Sequence, residues 1–229
     1  MGLSPKTPPD GPSSIGGAIL RAEGVILERQ GRTFARMPDL RLDPGQSLAL
    51  IGPSGSGKTT ALLALAGIRR AREGRVQIES SDIWALAPAA RDRFRGRRIG
   101  LVFQSFHLID AVSVENNLRL AASCAGLPPD AARIRMLLEK LDIVALRDRR
   151  ADRLSQGQAQ RVAVARALVN APALVIADEP TSALDDGSAK ALLDLLKSVV
   201  HDQNAALLIA THDRRVLDNV DHSAAMESV

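Results

Sequence analysis

The stretch Ser47-Leu48-Ala49-Leu50-Ile51-Gly52-Pro53-Ser54-Gly55-Ser56-Gly57-Lys58-Thr59-Thr60-Ala61-Leu62-Leu63-Ala64-Leu65 decides how the whole chain reads. A short apolar run, a Gly-rich turn and an apolar helix start follow one another without a gap, and the turn fits the spacing G-x4-G-K-[ST]. Glycines let the backbone curl so that successive N–H groups converge on phosphate oxygens, while the helix opening at Lys58 adds the positive end of its dipole. Lys58 is then placed to reach β/γ-phosphates, and Thr59 to ligate Mg2+. Chance is a poor competitor: the four fixed positions recur by accident in roughly one chain in a hundred of this length. The rival reading, a Gly/Ser-rich surface turn, leaves the apolar run before it and the helix after it unexplained.

Outward from that point the chain alternates between strand-like and helix-like stretches. Upstream, Ala18 to Leu27 and Arg32 to Leu42 show alternating apolar positions broken at Gly24 and Gly31, and are expected as strands. Downstream the pattern predicts strands near Arg75 to Glu79 and at Ile99 to Phe103, then helical stretches from Val114 to about Arg149. A helix Gln156 to Asn170, a strand Leu174 to Ala177, a helix Ser188 to Val200, a strand Ala206 to Ala210 and a short tail complete it. Such alternation predicts an α/β fold with a mainly parallel sheet between helices. Residues 83–153 are expected to form a helical lobe beside that sheet. Residues 1–17, crowded with Pro, Gly and Ser, are expected as a flexible tail without a secretion signal. Residues 18–229 are expected as a single domain, with no regulatory domain after Val229.

Composition agrees with this reading. The 229 residues are 45% hydrophobic and 24% charged, ordinary globular usage that excludes a wholly disordered or collagen-like chain. The 30 Lys+Arg against 26 Asp+Glu leave a net charge of +4. A chain of this length buries roughly 70% of its unfolded surface and needs no staples. The lone Cys124 excludes an internal disulfide, offers no cysteine pair for structural zinc, and fits a reducing compartment. The longest apolar stretches, such as Ala61 to Ile68, fall far short of the ~18 residues that cross a bilayer.

A second acidic site follows the run Leu174-Val175-Ile176-Ala177, which ends in Asp178-Glu179. Both acids are thereby expected at the carboxyl edge of the sheet, where ligands of open α/β sheets sit. Asp178 is suited to hold Mg2+, and Glu179 to accept a proton from an attacking water. Alone, an acidic pair after a strand reads equally as a solvated strand end; paired with the Gly-rich loop it reads as catalytic.

The residues now carry a resemblance. Leu154-Ser155-Gln156-Gly157-Gln158, followed by Gln160-Arg161 and an Ala-rich helix, resembles the LSGGQ signature of ATP-binding cassette (ABC) ATPases. The order also matches: phosphate loop, Gln104 after Ile99-Gly100-Leu101-Val102-Phe103, signature, Asp178-Glu179, Ser182-Ala183-Leu184-Asp185, then His212 within Ala210-Thr211-His212-Asp213. It covers residues 18–221. Gln104-Ser105-Phe106-His107-Leu108-Ile109 with Val114-Glu115-Asn116-Asn117 is similar to the lipoprotein-releasing and macrolide-efflux branch.

The resemblance implies a P-loop cassette with a mainly parallel sheet core, an N-terminal antiparallel β subdomain and a helical subdomain. It implies an ATPase that powers a membrane transporter from the cytoplasmic face, through permease subunits encoded separately and without nucleic acid. Two nucleotide domains, taken as identical copies, would pack head to tail. Each Mg2+·ATP would then lie between Gly52, Pro53, Ser54, Gly55, Ser56, Gly57, Lys58, Thr59 and Thr60 of one copy and Ser155, Gly157 and Gln158 of the other. Ser155 would act as an N-cap, leaving helix N–H groups for the γ-phosphate. Glu179 would be the base, His212 would contact the γ-phosphate, and Gln104 would bind Mg2+ or the water beside Thr59 and Asp178. Asp185 would cross the dimer seam. Outside that frame, His212 reads as a polar loop residue and Asp185 as a helix cap. Two other functions stay open: a cytosolic ATPase acting on ribosomes or DNA, and a membrane-tethered signalling subunit.

The chain departs from the family pattern at two motif positions, and after His212 it is expected to lack the Gly-containing strand pair common in relatives. Gln156 replaces the first signature glycine, and no Tyr exists to stack on adenine. Arg29 aligns near the missing aromatic, and its planar guanidinium can cover a π-face. Phe34 alternates like a strand core residue. The run Arg91-Asp92-Arg93-Phe94-Arg95-Gly96-Arg97-Arg98 reads either as a solvated face or as a contact to lipid headgroups or a partner. Trp84 is expected to pack the lobe.

Overall fold

The computed structural model describes residues 17–182 and 184–228, so most of the expected N-terminal tail and Ala183 of the Ser182–Asp185 stretch lie outside the described residues. In chain order the elements are β1 (Leu20–Arg29), β2 (Arg32–Arg36), β3 (Leu40–Leu42), β4 (Ser47–Ile51), α1 (Lys58–Leu65), β5 (Glu73–Ile78), β6 (Ser81–Asp82), α2 (Pro88–Arg98), β7 (Ile99–Val102), α3 (Val114–Cys124) and α4 (Ala131–Lys140). Two 3-10 turns, Val144–Leu146 and Ala151–Arg153, lead to α5 (Gln156–Leu168), β8 (Leu174–Asp178), α6 (Asp186–Asp202), β9 (Ala206–Thr211), α7 (Arg214–Leu217), β10 (His222–Ala225) and β11 (Glu227–Ser228).

The expected parallel sheet is present, in the order β10-β4-β9-β8-β7, with every neighbouring pair parallel. β4, β8 and β9 are buried along their whole length, as continuous apolar strands covered on both faces should be. Period-2 alternation sorts their side chains. Leu48, Leu50, Leu174, Ile176 and Leu208 face one core with α1 and the antiparallel strands. Ala49, Ile51, Val175, Leu207 and Ile209 face the other, with α3, α4, α5 and α6. Each buried Leu or Ile there contributes about 1.5–3 kcal/mol of transfer free energy.

The antiparallel sheet runs β11-β2-β1-β5-β6, with β3 paired to β1. The single strand expected over Arg32 to Leu42 is therefore two strands. Pro38 lacks an N–H for the ladder, and the break carries Asp39, whose Oδ1 accepts from Gly24 N at 2.8 Å. The expected C-terminal tail is also corrected. β10 extends the parallel sheet beside β4 and β11 closes onto β2, linking the two sheets beneath the Gly-rich loop.

The basic run forms α2, and among its five arginines Arg91, Arg97 and Arg98 hold groups outside the helix. Arg91 stacks over the Trp84 ring at 4.7 Å, Arg97 donates to Ala125 O and Gly126 O, and Arg98 pairs with Glu79. Arg95 pairs with Asp92 at 2.9 Å. Trp84 itself packs with Ile83 and Phe94 on the core of the antiparallel sheet, not in the cluster that holds α3 and α4.

Candidate active site

Four adjacent strand ends build the site. β4 delivers the Gly-rich loop, β9 delivers Thr211 and His212, β8 delivers Asp178 and Glu179, and β7 delivers Gln104, because the sheet order places these strands side by side with their carboxyl ends on one edge.

The loop is curled as its glycines require. Gly55 and Gly57 adopt φ of +82° and +97°. A Cβ on Gly57 would also stand 2.9 Å from Phe34 Cε2, so only glycine fits there. Lys58 is buried, and its ammonium donates to Gly52 O at 2.8 Å and Pro53 O at 3.2 Å while lying 3.5 Å from Glu179 Oε1. Thr59 Oγ1 donates to Asp178 Oδ2 at 2.8 Å. An open cleft of about 490 Å3 lies over this loop, lined by Ser54, Gly55, Thr60, Gln104 and Glu179, and also by Arg29, Phe34 and Arg69. Arg29 and Phe34 both reach it; the Phe34 ring also packs against the core, as its alternation predicts.

Asp178 is buried, and that burial lifts its carboxyl pKa above the usual value, with the Glu179 charge adding to the rise and the Thr59 hydrogen bond opposing it. Its Oδ1 and Ser56 Oγ are buried without a hydrogen-bond partner. The Thr59 hydroxyl beside Asp178 Oδ2, with Asp178 Oδ1 still unused, suits a hard divalent cation that keeps several of its waters. The residues present therefore fit Mg2+ and a polyphosphate.

Glu179 has a left-handed backbone, φ 47°, which turns its side chain from the strand into the cleft. Its Oε2 accepts from Thr211 Oγ1 at 3.1 Å and its Oε1 lies 2.8 Å from His212 Nδ1. Thr211 was not singled out by its sequence; its β9 position opposite Ile51 is what brings it there. Gln104 is exposed, with Nε2 donating to Ser182 Oγ at 3.4 Å.

The structure does not bring the remaining predicted residues into this cleft. Ser155 caps α5 in a capping box: its Oγ accepts from Gln158 N at 3.3 Å and the Gln158 Oε1 accepts from Ser155 N at 3.0 Å. Ser155, Gly157 and Gln158 line a separate groove of about 420 Å3 with Asp142, Ile143 and Arg161. Nothing stands within 4 Å of a Cβ built on Gly157, so the helix start is open. Gln156 points into a third space, of about 170 Å3, shared with Gln104, Glu179 and Ser182. Asp185 caps α6, accepting from Ser188 N at 3.0 Å and Ser188 Oγ at 2.6 Å, which holds its carboxyl below the usual pKa.

Comparison with known proteins places this geometry. The family model described as ABC transporter matches residues 36–182. The lipoprotein-releasing system ATP-binding protein LolD 1 of Rhodopirellula baltica is 38% identical over 185 residues, 80% of this chain and 81% of that protein. The bacitracin export ATP-binding protein BceA of Halalkalibacterium halodurans is 35% identical over 197 residues, 85% of this chain and 77% of that protein. Among solved structures, cbiO1 from Clostridium perfringens, part of the ABC transporter complex cbiONQ, superposes with a TM-score of 0.81 at 28% identity, over 93% of this chain and 87% of that one. A dimeric post-hydrolysis state of the ATP-binding cassette MJ0796, bound to ADP and Pi, superposes with a TM-score of 0.79 at 26% identity, over 91% and 94%.

Proposed function

Since the chain belongs to the ABC transporter family as an ATP-hydrolysing subunit, we propose that two copies of it close head to tail on two Mg2+·ATP and drive a permease encoded separately, in export or lipoprotein release. Similarity to LolD and BceA supports that branch, and the docking site would be the cytoplasmic face of a membrane. No helix of the described residues is long and apolar enough to cross one.

One observation carries the reading. The cleft over the Gly-rich loop is lined by Lys58, Thr59 and Glu179, while Ser155, Gly157 and Gln158 at the start of α5 line a different groove of the same chain. A γ-phosphate bound by the Gly-rich loop would therefore need the Ser155 helix of a second copy. That helix offers unpaired N–H groups and a positive dipole end to an anion. Within one chain, the Gly52–Thr60 loop would hold the phosphates, and Thr59, Asp178 and Gln104 would hold Mg2+, which when bound neutralises charge on the β- and γ-oxygens. Glu179 would take the proton of the attacking water, oriented by His212, with Asp185 at the seam. Arg29 would cover the base in place of an aromatic residue.

The test is Glu179→Gln. It should retain ATP binding, lower turnover about 100-fold or more, and accumulate as a dimer in Mg2+·ATP by light scattering. A variant that stays single-copy at saturating Mg2+·ATP, alone and with its permease, overturns the proposal.

A further inference from the structure

The turn after β7 holds two consecutive residues in the left-handed region, Phe106 at φ 52° and His107 at φ 49°, neither of them glycine. This region suits Gly and Asn; for a bulky residue such as Phe it is a genuine outlier that persists only where surrounding contacts impose it. Local bonds supply part of the constraint, Phe106 N donating to Phe103 O at 3.1 Å and His107 N to Ser105 O at 2.5 Å. The rest comes from 59 and 60 residues away. Arg166, in the last turn of α5, donates through Nη2 to Phe106 O at 2.6 Å and through Nη1 to His107 O. Burial lowers the Arg166 pKa, and its guanidinium donates to these two backbone carbonyls.

We propose that Arg166 is a positioning residue for hydrolysis: its planar fork pins the strained Phe106-His107 turn to the signature helix and thereby fixes Gln104, two residues earlier, beside Ser182 and Glu179. The proposal rests on the ATPase reading above. Two donors fixed on a rigid plane hold two successive carbonyls in one set geometry, which an ammonium on a flexible stem holds less firmly. The helix that begins at Ser155 is therefore wired at its far end to the loop bearing Gln104, within one chain. Release of the clamp frees the turn to relax to right-handed or extended backbone and moves Gln104 off the cleft, leaving the Gly-rich loop untouched.

The experiment measures basal hydrolysis and ATP affinity of the purified full chain, wild type against Arg166→Ala, with and without Phe106→Gly and His107→Gly together. Arg166→Ala should lower kcat about tenfold with Kd for ATP within twofold. The two glycines, at home in the left-handed region, should restore kcat in that background to within about threefold of wild type. Unchanged kcat in Arg166→Ala, or a loss that the glycines do not relieve, overturns the clamp. Should Arg166→Ala fail to fold, Arg166→Lys keeps the stem and charge without the fork; it should lose about fivefold in kcat and be relieved by the same glycines, and wild-type kcat in it overturns the clamp. A wild-type chain that neither binds nor hydrolyses ATP would fell the ATPase reading instead, so the two failures are distinguishable.

Discussion

The loop after β4 and the start of α5 are the two places proposed to receive an anion, yet they are finished to different degrees. Around the loop, Lys58, Thr59, Asp178, Glu179 and His212 already touch one another, and Lys58 and Asp178 are buried. At the start of α5, Ser155 and Gln158 satisfy only each other, and Gly157 faces open space. The first region is a site that one chain folds by itself. In the second, nothing stands within 4 Å of a Cβ on Gly157, so on the head-to-tail proposal the first region alone should set the affinity of a single chain, while turnover should need both.

The largest effect that could break this contrast is on affinity. Lys58→Ala removes the ammonium that now binds Gly52 O and Pro53 O and sits 3.5 Å from Glu179. ATP affinity of the single chain should fall roughly 100-fold, on the order of two 1.4 kcal/mol steps, as read by titration calorimetry. Affinity unchanged in this variant would remove the loop as the phosphate cradle.

Next in size is the helix start. Ser155→Arg replaces the cap and fills the open groove with a bulky cation, at a local cost of about 1 kcal/mol for the lost cap. Binding by the single chain should stay within twofold of wild type while steady-state hydrolysis drops about tenfold and the Mg2+·ATP dimer fails to form. Lost affinity in the isolated chain would mean that the two regions meet in one copy, and the contrast would fail.

The sequence made the first region legible and left the wiring of the second hidden, for physical reasons. β4, β8 and β9 read as continuous apolar runs because both faces are buried, and the loop and Asp178-Glu179 announce themselves at the ends of such runs. Ser155 and Gln158 are a capping box three residues apart, which spacing alone discloses. His222-Ser223-Ala224-Ala225 gave no strand signal, lacking β-branched residues and alternation; pairing with β4 makes it a strand. The left-handed turn at Phe106-His107 and the clamp from Arg166 depend on contacts across some sixty residues, and no local pattern encodes them. The arginines of α2 looked like a surface charge because their partners, Trp84, Ala125 O and Glu79, are distant in sequence or are backbone atoms.

The smallest effect concerns the support of the first region, where the end of β9 meets the loop before α6. Arg215 donates to both oxygens of Asp213 and reaches Thr181 O, Leu184 O and Asp186 Oδ1, while Thr181 Oγ1 donates to Asp213 at 2.7 Å. His212 in the cleft is thereby tied to the loop that runs on into α6. Hydrogen bonds from Arg215 hold the Asp213 carboxyl at a pKa of about 2, below its usual 3.8. A depressed carboxyl pKa contributes stability that is fully present above the unfolded value and is lost as pH falls from about 4 towards 2. With Arg215 one-third exposed, solvent screening leaves only part of that stabilisation. Asp213→Asn should therefore lower the unfolding midpoint at pH 7 by a few degrees, and the gap to wild type should close between about pH 4 and pH 2. A gap that stays constant down to pH 2 would show that packing, not the ionised Asp213–Arg215 pair, joins the catalytic edge to the loop before α6.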